Sequence, residues 1–154
     1  MNPSSRPVTG KPKLILLVDD NPEDQYLTAE ALKTVGRANE FRALDSGTQL
    51  LAYLRREGTY AADGVAPRPD LVLLDLNMPR MTGHETLTEL REIDEYLDLP
   101  VIIFSTSQAD NDVREAYRNG ANSYIAKPDS FDDLCEAMDS VQRYWFDTAE
   151  RARR

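Results

Sequence analysis

Acidic and hydroxyl side chains gather in this sequence where short apolar runs stop. Leu14 to Val18 runs into Asp19 and Asp20, Leu71 to Leu74 into Asp75 and then Asn77, and Val101 to Phe104 into Ser105 and Thr106. A fourth run, Asn122 to Ile125, is followed by Lys127 and Pro128. Carboxylates brought together repel one another, and burying them unpaired is costly, so something positive must stand among them. Lys127 supplies one charge. A hard divalent cation such as Mg²⁺ would supply two more, and it prefers carboxylate and water ligands. In such a set Asp75 is the candidate nucleophile, because a carboxylate can accept a phosphoryl group as an acyl phosphate. Transfer asks for in-line positioning and neutralised charge, which a metal and a lysine provide, while Ser105 can donate its hydroxyl to a phosphoryl oxygen. Taken singly, Asp19 and Asp20 suit a turn that caps a helix, and Lys127 suits a solvated surface. Neither reading explains why all of them fall at the ends of apolar runs.

The elements that must position these groups are legible in the same pattern. Leu14 to Val18 is continuously apolar, as a strand buried on both faces requires. Asn21 offers a cap, Pro22 suits a first helical turn, and Glu23 and Asp24 complement the helix dipole. That helix reaches Val35, where Gly36 can end it. Glu40 to Leu44 reads as a second strand, and Ser46 can cap a helix with Leu50, Leu51 and Leu54 on one face. Arg55 to Asp70, with Gly58, Gly64, Pro67 and Pro69, reads as a long loop. After the strand Leu71 to Leu74, the pattern predicts a helix from Gly83 to about Tyr96, with Leu87 and Leu90 facing inward. Pro100 opens the strand Val101 to Phe104. Ser107 and Asp110 have capping-box spacing ahead of a helix carrying Val113, Ala116 and Tyr117, which Gly120 stops. Asn122 to Ile125 is the fifth strand. Ser130 and Asp133 repeat the capping spacing before a last helix with Phe131, Leu134, Cys135, Met138, Val141 and Trp145. Five strands alternating with five helices imply an α/β fold, a doubly wound parallel sheet with helices on both faces. Sites in such sheets lie at the carboxyl ends of the strands, where the polar residues collect.

Composition sets the limits. The chain has 154 residues, 41% hydrophobic and 29% charged, which suits one soluble domain. Its net charge of -9 argues against binding nucleic acid or an anionic membrane. Cys135 is the one cysteine, so no intrachain disulfide is available, and its place on an apolar helical face suits packing. No apolar run is long enough to span a bilayer, and the stretch 1–12 lacks the apolar region of a signal peptide. It reads as a flexible lead-in, and the expected location is the cytoplasm. The domains expected are a core over 13–143 and a C-terminal extension over 144–154.

Four segments, Leu17-Val18-Asp19-Asp20-Asn21, Leu73-Leu74-Asp75-Leu76-Asn77-Met78-Pro79, Phe104-Ser105-Thr106-Ser107 and Tyr124-Ile125-Ala126-Lys127-Pro128, together resemble the response-regulator receiver family in order and spacing. The resemblance covers about Lys13 to Val141. It implies the flavodoxin-like fold of chemotaxis receivers, with strand order 2-1-3-4-5. It implies that Asp75 is the phosphoacceptor and that Asp19, Asp20 and Asp75 hold Mg²⁺ or Mn²⁺, with Asn77 lending a backbone carbonyl. It makes Lys127 the phosphoryl contact, Ser105 the switch hydroxyl and Tyr124 the aromatic switch. The implied partner is a sensor histidine kinase. The stretch Asp20 to Asp24, the long loop before the third strand and the Tyr144-Trp145-Phe146 ending resemble, more narrowly, the small receivers paired with phytochrome-type kinases.

Two other classes fit parts of the pattern. A phosphatase with an aspartyl-phosphate intermediate uses an acid two residues past its nucleophile, where this chain has Asn77. A binding module that is never phosphorylated has no need of the acidic set. His84, the one histidine, follows Gly83 and reads as a surface residue, and Arg151, Arg153 and Arg154 read as a solvated terminus. Tyr144, Trp145 and Phe146 point in different directions around a continued last helix. Exposed together they would form a patch suited to a homodimer built on the fourth and fifth helices and the extension.

Overall fold

A computed structural model describes residues 12–152. The expected lead-in, except for its last residue, lies outside the described residues, as do Arg153 and Arg154. The strands are β1 (Leu14–Val18), β2 (Glu40–Leu44), β3 (Leu71–Leu74), β4 (Val101–Ser105) and β5 (Ser123–Ala126). They alternate with α1 (Pro22–Val35), α2 (Gly47–Arg55), α3 (Gly83–Leu90), α4 (Asp110–Arg118) and α5 (Phe131–Gln142). All strand pairs are parallel and the order is β2-β1-β3-β4-β5.

Alternation along the strands divides the core between two faces. Leu16, Val18, Val72, Leu74 and Ile103 pack with Leu50 and Leu54 of α2, Leu87 and Leu90 of α3 and Ala116 of α4. Ile15, Leu17, Leu71, Leu73, Ile102 and Phe104 pack with Ala31 of α1 and with Leu134, Met138 and Val141 of α5. Asn21 caps α1 by accepting from the N–H groups of Glu23 and Asp24, and Gly36 closes it in the left-handed region at φ 79°. Ser46 and Ser130 cap α2 and α5. Thr82 and Glu85 form a reciprocal capping box at the start of α3. The 55–70 connection holds a 3-10 turn, Gly58–Tyr60, and is pinned where the Tyr53 hydroxyl donates to the Pro67 carbonyl at 2.7 Å.

Three expectations are corrected. The helix expected to reach Tyr96 ends at Leu90. Beyond it, the Arg91 guanidinium donates to the carbonyls of Tyr96, Leu99 and Gly120. Satisfying carbonyls from outside the helix stabilises the irregular path and its short 3-10 turn, Asp94–Tyr96. Ser107 does not cap α4. Its hydroxyl donates to the Asp112 carboxylate, and Ala109 stands at the cap position with no side chain to offer. Phe131 is 40% exposed at the first position of α5, outside the core.

The C-terminal extension also departs from its expected form. A π-helical turn, Arg143–Thr148, follows α5 directly. A π turn holds more residues per turn than an α-helix, so neighbouring side chains diverge less. Trp145 and Phe146 both pack on the core face shared by α1 and α5, leaving Tyr144 exposed. Arg37 fastens the turn, with Nε 3.2 Å from Asp139 and Nη1 2.8 Å from Asp147. Arg151, expected in solvent, reaches Asp70 at 3.2 Å and lies over the Phe146 ring. The extension therefore folds back on its own domain, and the three aromatics do not form one exposed patch.

Candidate functional site

The carboxyl ends of β1, β3, β4 and β5 bring the predicted polar residues together. Asp19 follows β1 directly and is fully buried, while Asp20 beside it is exposed. Asp75 follows β3 and is buried. The Asp19 N–H donates to Leu44 and the Asp75 N–H to Val18, so both carboxylates leave the sheet from hydrogen-bonded backbone. Gly83 brings α3 close behind Asp75. A Cβ there would stand 2.2 Å from the Asp75 carbonyl oxygen and 2.7 Å from the Leu76 Cα, so only glycine allows α3 to begin at this point. Sequence reading took Gly83 merely as a helix start; the close approach emerges only in three dimensions.

Lys127, one residue past β5, points its ammonium into the cluster. Its Nζ is 2.7 Å from Asp19 Oδ2, 2.8 Å from Asp24 Oδ2 and 3.6 Å from Asp75 Oδ2. In the sequence Asp24 stands out only as a complement to the helix dipole. Its place one turn into α1, after Asp19 and Asp20, is the signal that it faces the same edge. Burial alone would lower the Lys127 pKa, but the bonds to Asp19 and Asp24 outweigh it and raise it above the ordinary lysine range. Burial pushes the Asp75 carboxyl above its ordinary range. Lys127 opposes that shift, Asp19 reinforces it, and hydrogen bonds from the Asn77 N–H and the Ser105 hydroxyl oppose it. Asn77 itself is exposed.

One ammonium thus faces three carboxylates, with Asp20 a fourth at the rim. Asp19, Asp20 and Asp75 each offer an oxygen, all within 4.8 Å of one another. An all-oxygen, strongly anionic donor set of this kind fits a hard divalent cation such as Mg²⁺ or Mn²⁺.

The hydroxyl side of the site is built from β4 and β5. Ser105 is fully buried at the end of β4, whereas Thr106 is exposed. Tyr124 pairs with Ile103 in the sheet and donates its hydroxyl to the Ser107 carbonyl at 2.8 Å. Burial raises the Tyr124 pKa. The β4–α4 loop therefore carries Ser105 at one end and is tied to the Tyr124 ring at Ser107. His84 corrects its expectation. It is largely buried at the start of α3, with Nε2 3.2 Å from Asp112 on α4. Among the described residues no helix is long and apolar enough to cross a membrane.

Comparison with known proteins agrees with this geometry. Residues 15–139 match the response regulator receiver domain. The response regulator Rcp1 of Synechocystis is 35% identical over 89% of this chain and 91% of its own length. The probable methanogenesis regulatory protein FilR2 of Methanothrix harundinacea is 38% identical over 87% of this chain and 84% of its own. The crystal structure of the phosphorylated cyanobacterial phytochrome response regulator RcpA superposes with a TM-score of 0.85 at 36% identity, covering 93% of this chain and all of RcpA. The Mn²⁺-bound form of Rcp1 superposes with a TM-score of 0.81 at 34% identity, over 92% of this chain and all of that one. The chain belongs to the response regulator receiver domain family, as a two-component signalling receiver homologous to phytochrome response regulators.

Proposed function

We propose that Asp75 receives a phosphoryl group from the phosphohistidine of a sensor kinase and that the chain changes its partner binding as a result. The position of Lys127 carries this reading. It holds the buried Asp19 and Asp24 by hydrogen bonds and stands 3.6 Å from Asp75, close enough to neutralise charge there without capping the carboxylate. An Asp75 oxygen attacks phosphorus, the phosphorus–nitrogen bond breaks, and the imidazole leaves with the electron pair. Lys127 then balances charge on the transferred group, and the Ser105 hydroxyl donates to one of its oxygens. Asp19, Asp20, Asp75 and the Asn77 carbonyl would hold Mg²⁺ or Mn²⁺, which would supply the remaining neutralisation.

The switch follows from the same loop. Ser105 moves toward its new acceptor and draws in the β4–α4 loop, and Tyr124 loses its Ser107 partner and turns into the space left behind. Slow hydrolysis of the acyl phosphate resets the domain. A phosphatase role is disfavoured because Asn77 cannot protonate a leaving group. A phosphorylation-independent role leaves the buried acidic set without a purpose.

The kinase in this proposal is of the phytochrome type, and the likeness to Rcp1 and RcpA supports it. The proposed setting is the cytoplasm, without nucleic acid or membrane as partner. A homodimer through α4, α5 and the extension is also proposed, with Tyr117, Phe131 and Tyr144, each exposed on one of those elements, as its candidate contacts. Light scattering that shows twice the chain mass supports the dimer, and a concentration-independent single-chain mass contradicts it. For the function itself, a phytochrome-type kinase labelled on its histidine should pass label to this chain and not to Asp75→Asn. Label that stays on the kinase, or reaches both proteins equally, overturns the reading.

A further inference from the structure

We propose that His84, Asp112 and Glu115 form a second cation site, suited to a borderline transition metal such as Zn²⁺ and separate from the Asp75 cluster. His84 stands at the start of α3. Asp112 and Glu115 lie three residues apart on α4, so their side chains share one face of that helix. His84 Nε2 is 3.2 Å from Asp112 Oδ1 and 3.6 Å from Glu115 Oε2, and one ligand atom from each residue falls within 4.8 Å of the others. With bonds of about 2.0–2.1 Å, the edge of a tetrahedron around Zn²⁺ is about 3.3 Å. The two nitrogen–oxygen separations bracket that length.

The surroundings support a ligand role beyond a simple ion pair. Ser107 donates its hydroxyl to Asp112 Oδ2, which orients that carboxylate and leaves Oδ1 toward the histidine. Outer partners of this kind fix the ligands of metal sites. Glu115 is more than half exposed, which leaves an approach from solvent. An imidazole nitrogen with two carboxylates and room for water favours Zn²⁺ over Mg²⁺, which prefers oxygen donors. Metal at Nε2 would place the imidazole proton on Nδ1, a buried atom with no hydrogen-bond partner, which limits the affinity.

The consequence is mechanical. Zn²⁺ would staple α4 to α3 and hold Asp112, which in turn holds Ser107 in the loop that binds Tyr124. The site would bias that loop toward its present position, whatever happens at Asp75.

His84 is the only histidine in the chain, so its ring is an unambiguous probe. The full-length protein in saturating Mg²⁺ should bind one equivalent of ZnCl₂ by calorimetry, with displacement of the His84 ring ¹⁵N resonances. Glu115→Gln, at an exposed position that folding does not depend on, should weaken binding by at least about tenfold, and His84→Gln likewise. Asp20→Asn should leave Zn²⁺ binding unchanged, which separates this site from the phosphoryl site. Unmoved ring resonances at stoichiometric Zn²⁺, or equal affinity in wild type and Glu115→Gln, overturn the proposal.

Discussion

The Lys127 ammonium stops 3.6 Å from the Asp75 carboxylate because its shorter contacts go to Asp19 and Asp24. The lysine is thus a buttress for the acidic wall as well as a partner for Asp75. Its raised pKa means that its contribution to stability is fully present below the ordinary lysine value and is lost only as pH rises through the higher folded value. At neutral pH Lys127→Ala should therefore cost about 2 kcal/mol, the worth of a charged hydrogen bond. Denaturant unfolding at pH 7 checks this. A variant as stable as wild type would mean that solvent already screens the cluster.

Asp75 has the same direction of shift, but there it is the neutral form that the fold favours. A carboxyl held above its ordinary value of 3.8 adds stability while protonated and loses it as pH rises through the folded value. Ionised Asp75 is consequently a cost near neutrality. In metal-free buffer at pH 7, Asp75→Asn should melt above wild type, by roughly 2–4 °C for each kcal/mol relieved, and the gap should close as pH falls. Adding Mg²⁺ at a hundred times its dissociation constant should return about 2.7 kcal/mol to wild type and less to the variant. A lower melting temperature for Asp75→Asn at pH 7 would reverse the assignment of the burial penalty.

Ser105 is buried at the end of β4, two residues before the carbonyl that Tyr124 holds. Beryllofluoride, a phosphoryl mimic, should shift the Tyr124 resonances in wild type. Ser105→Ala should still bind the mimic and lose most of that shift. An undiminished response would send the signal along another path.

Trp145 and Phe146 are partly buried and pack against the core through the π-helical turn. Trp145→Ala should lower stability by about 2 kcal/mol, as removal of a half-buried aromatic does. Thermal unfolding at several protein concentrations is the check. A loss that appears only at high concentration would assign the ring to a dimer contact.

Much of this molecule is written locally. β1, α1, β2 and β3 keep the bounds read from the sequence because continuous apolar runs and side-chain caps define them. The strand-end clustering likewise predicts that Asp19, Asp20, Asp75, Ser105 and Lys127 meet. Features made by distant partners were not legible. Arg91 gathers carbonyls from two separate segments, 96–99 and 120, and Asp24 meets Lys127 across 103 residues. His84 is covered by α4, 28 residues on, and Arg151 reaches Asp70 across 81. The π turn after α5 has no signature in hydrophobic period, and it reversed the expected exposure of two aromatics.

In the proposed function Asp75 is the phosphoacceptor and needs a divalent ion in the acidic cluster. Intact-mass spectrometry after incubation with acetyl phosphate and Mg²⁺ tests both parts directly. Wild type should gain one phosphoryl group, chelator should abolish the gain, and Asp75→Asn should show none. Equal phosphorylation of Asp75→Asn, or labelling of wild type that persists in excess chelator, would contradict the account.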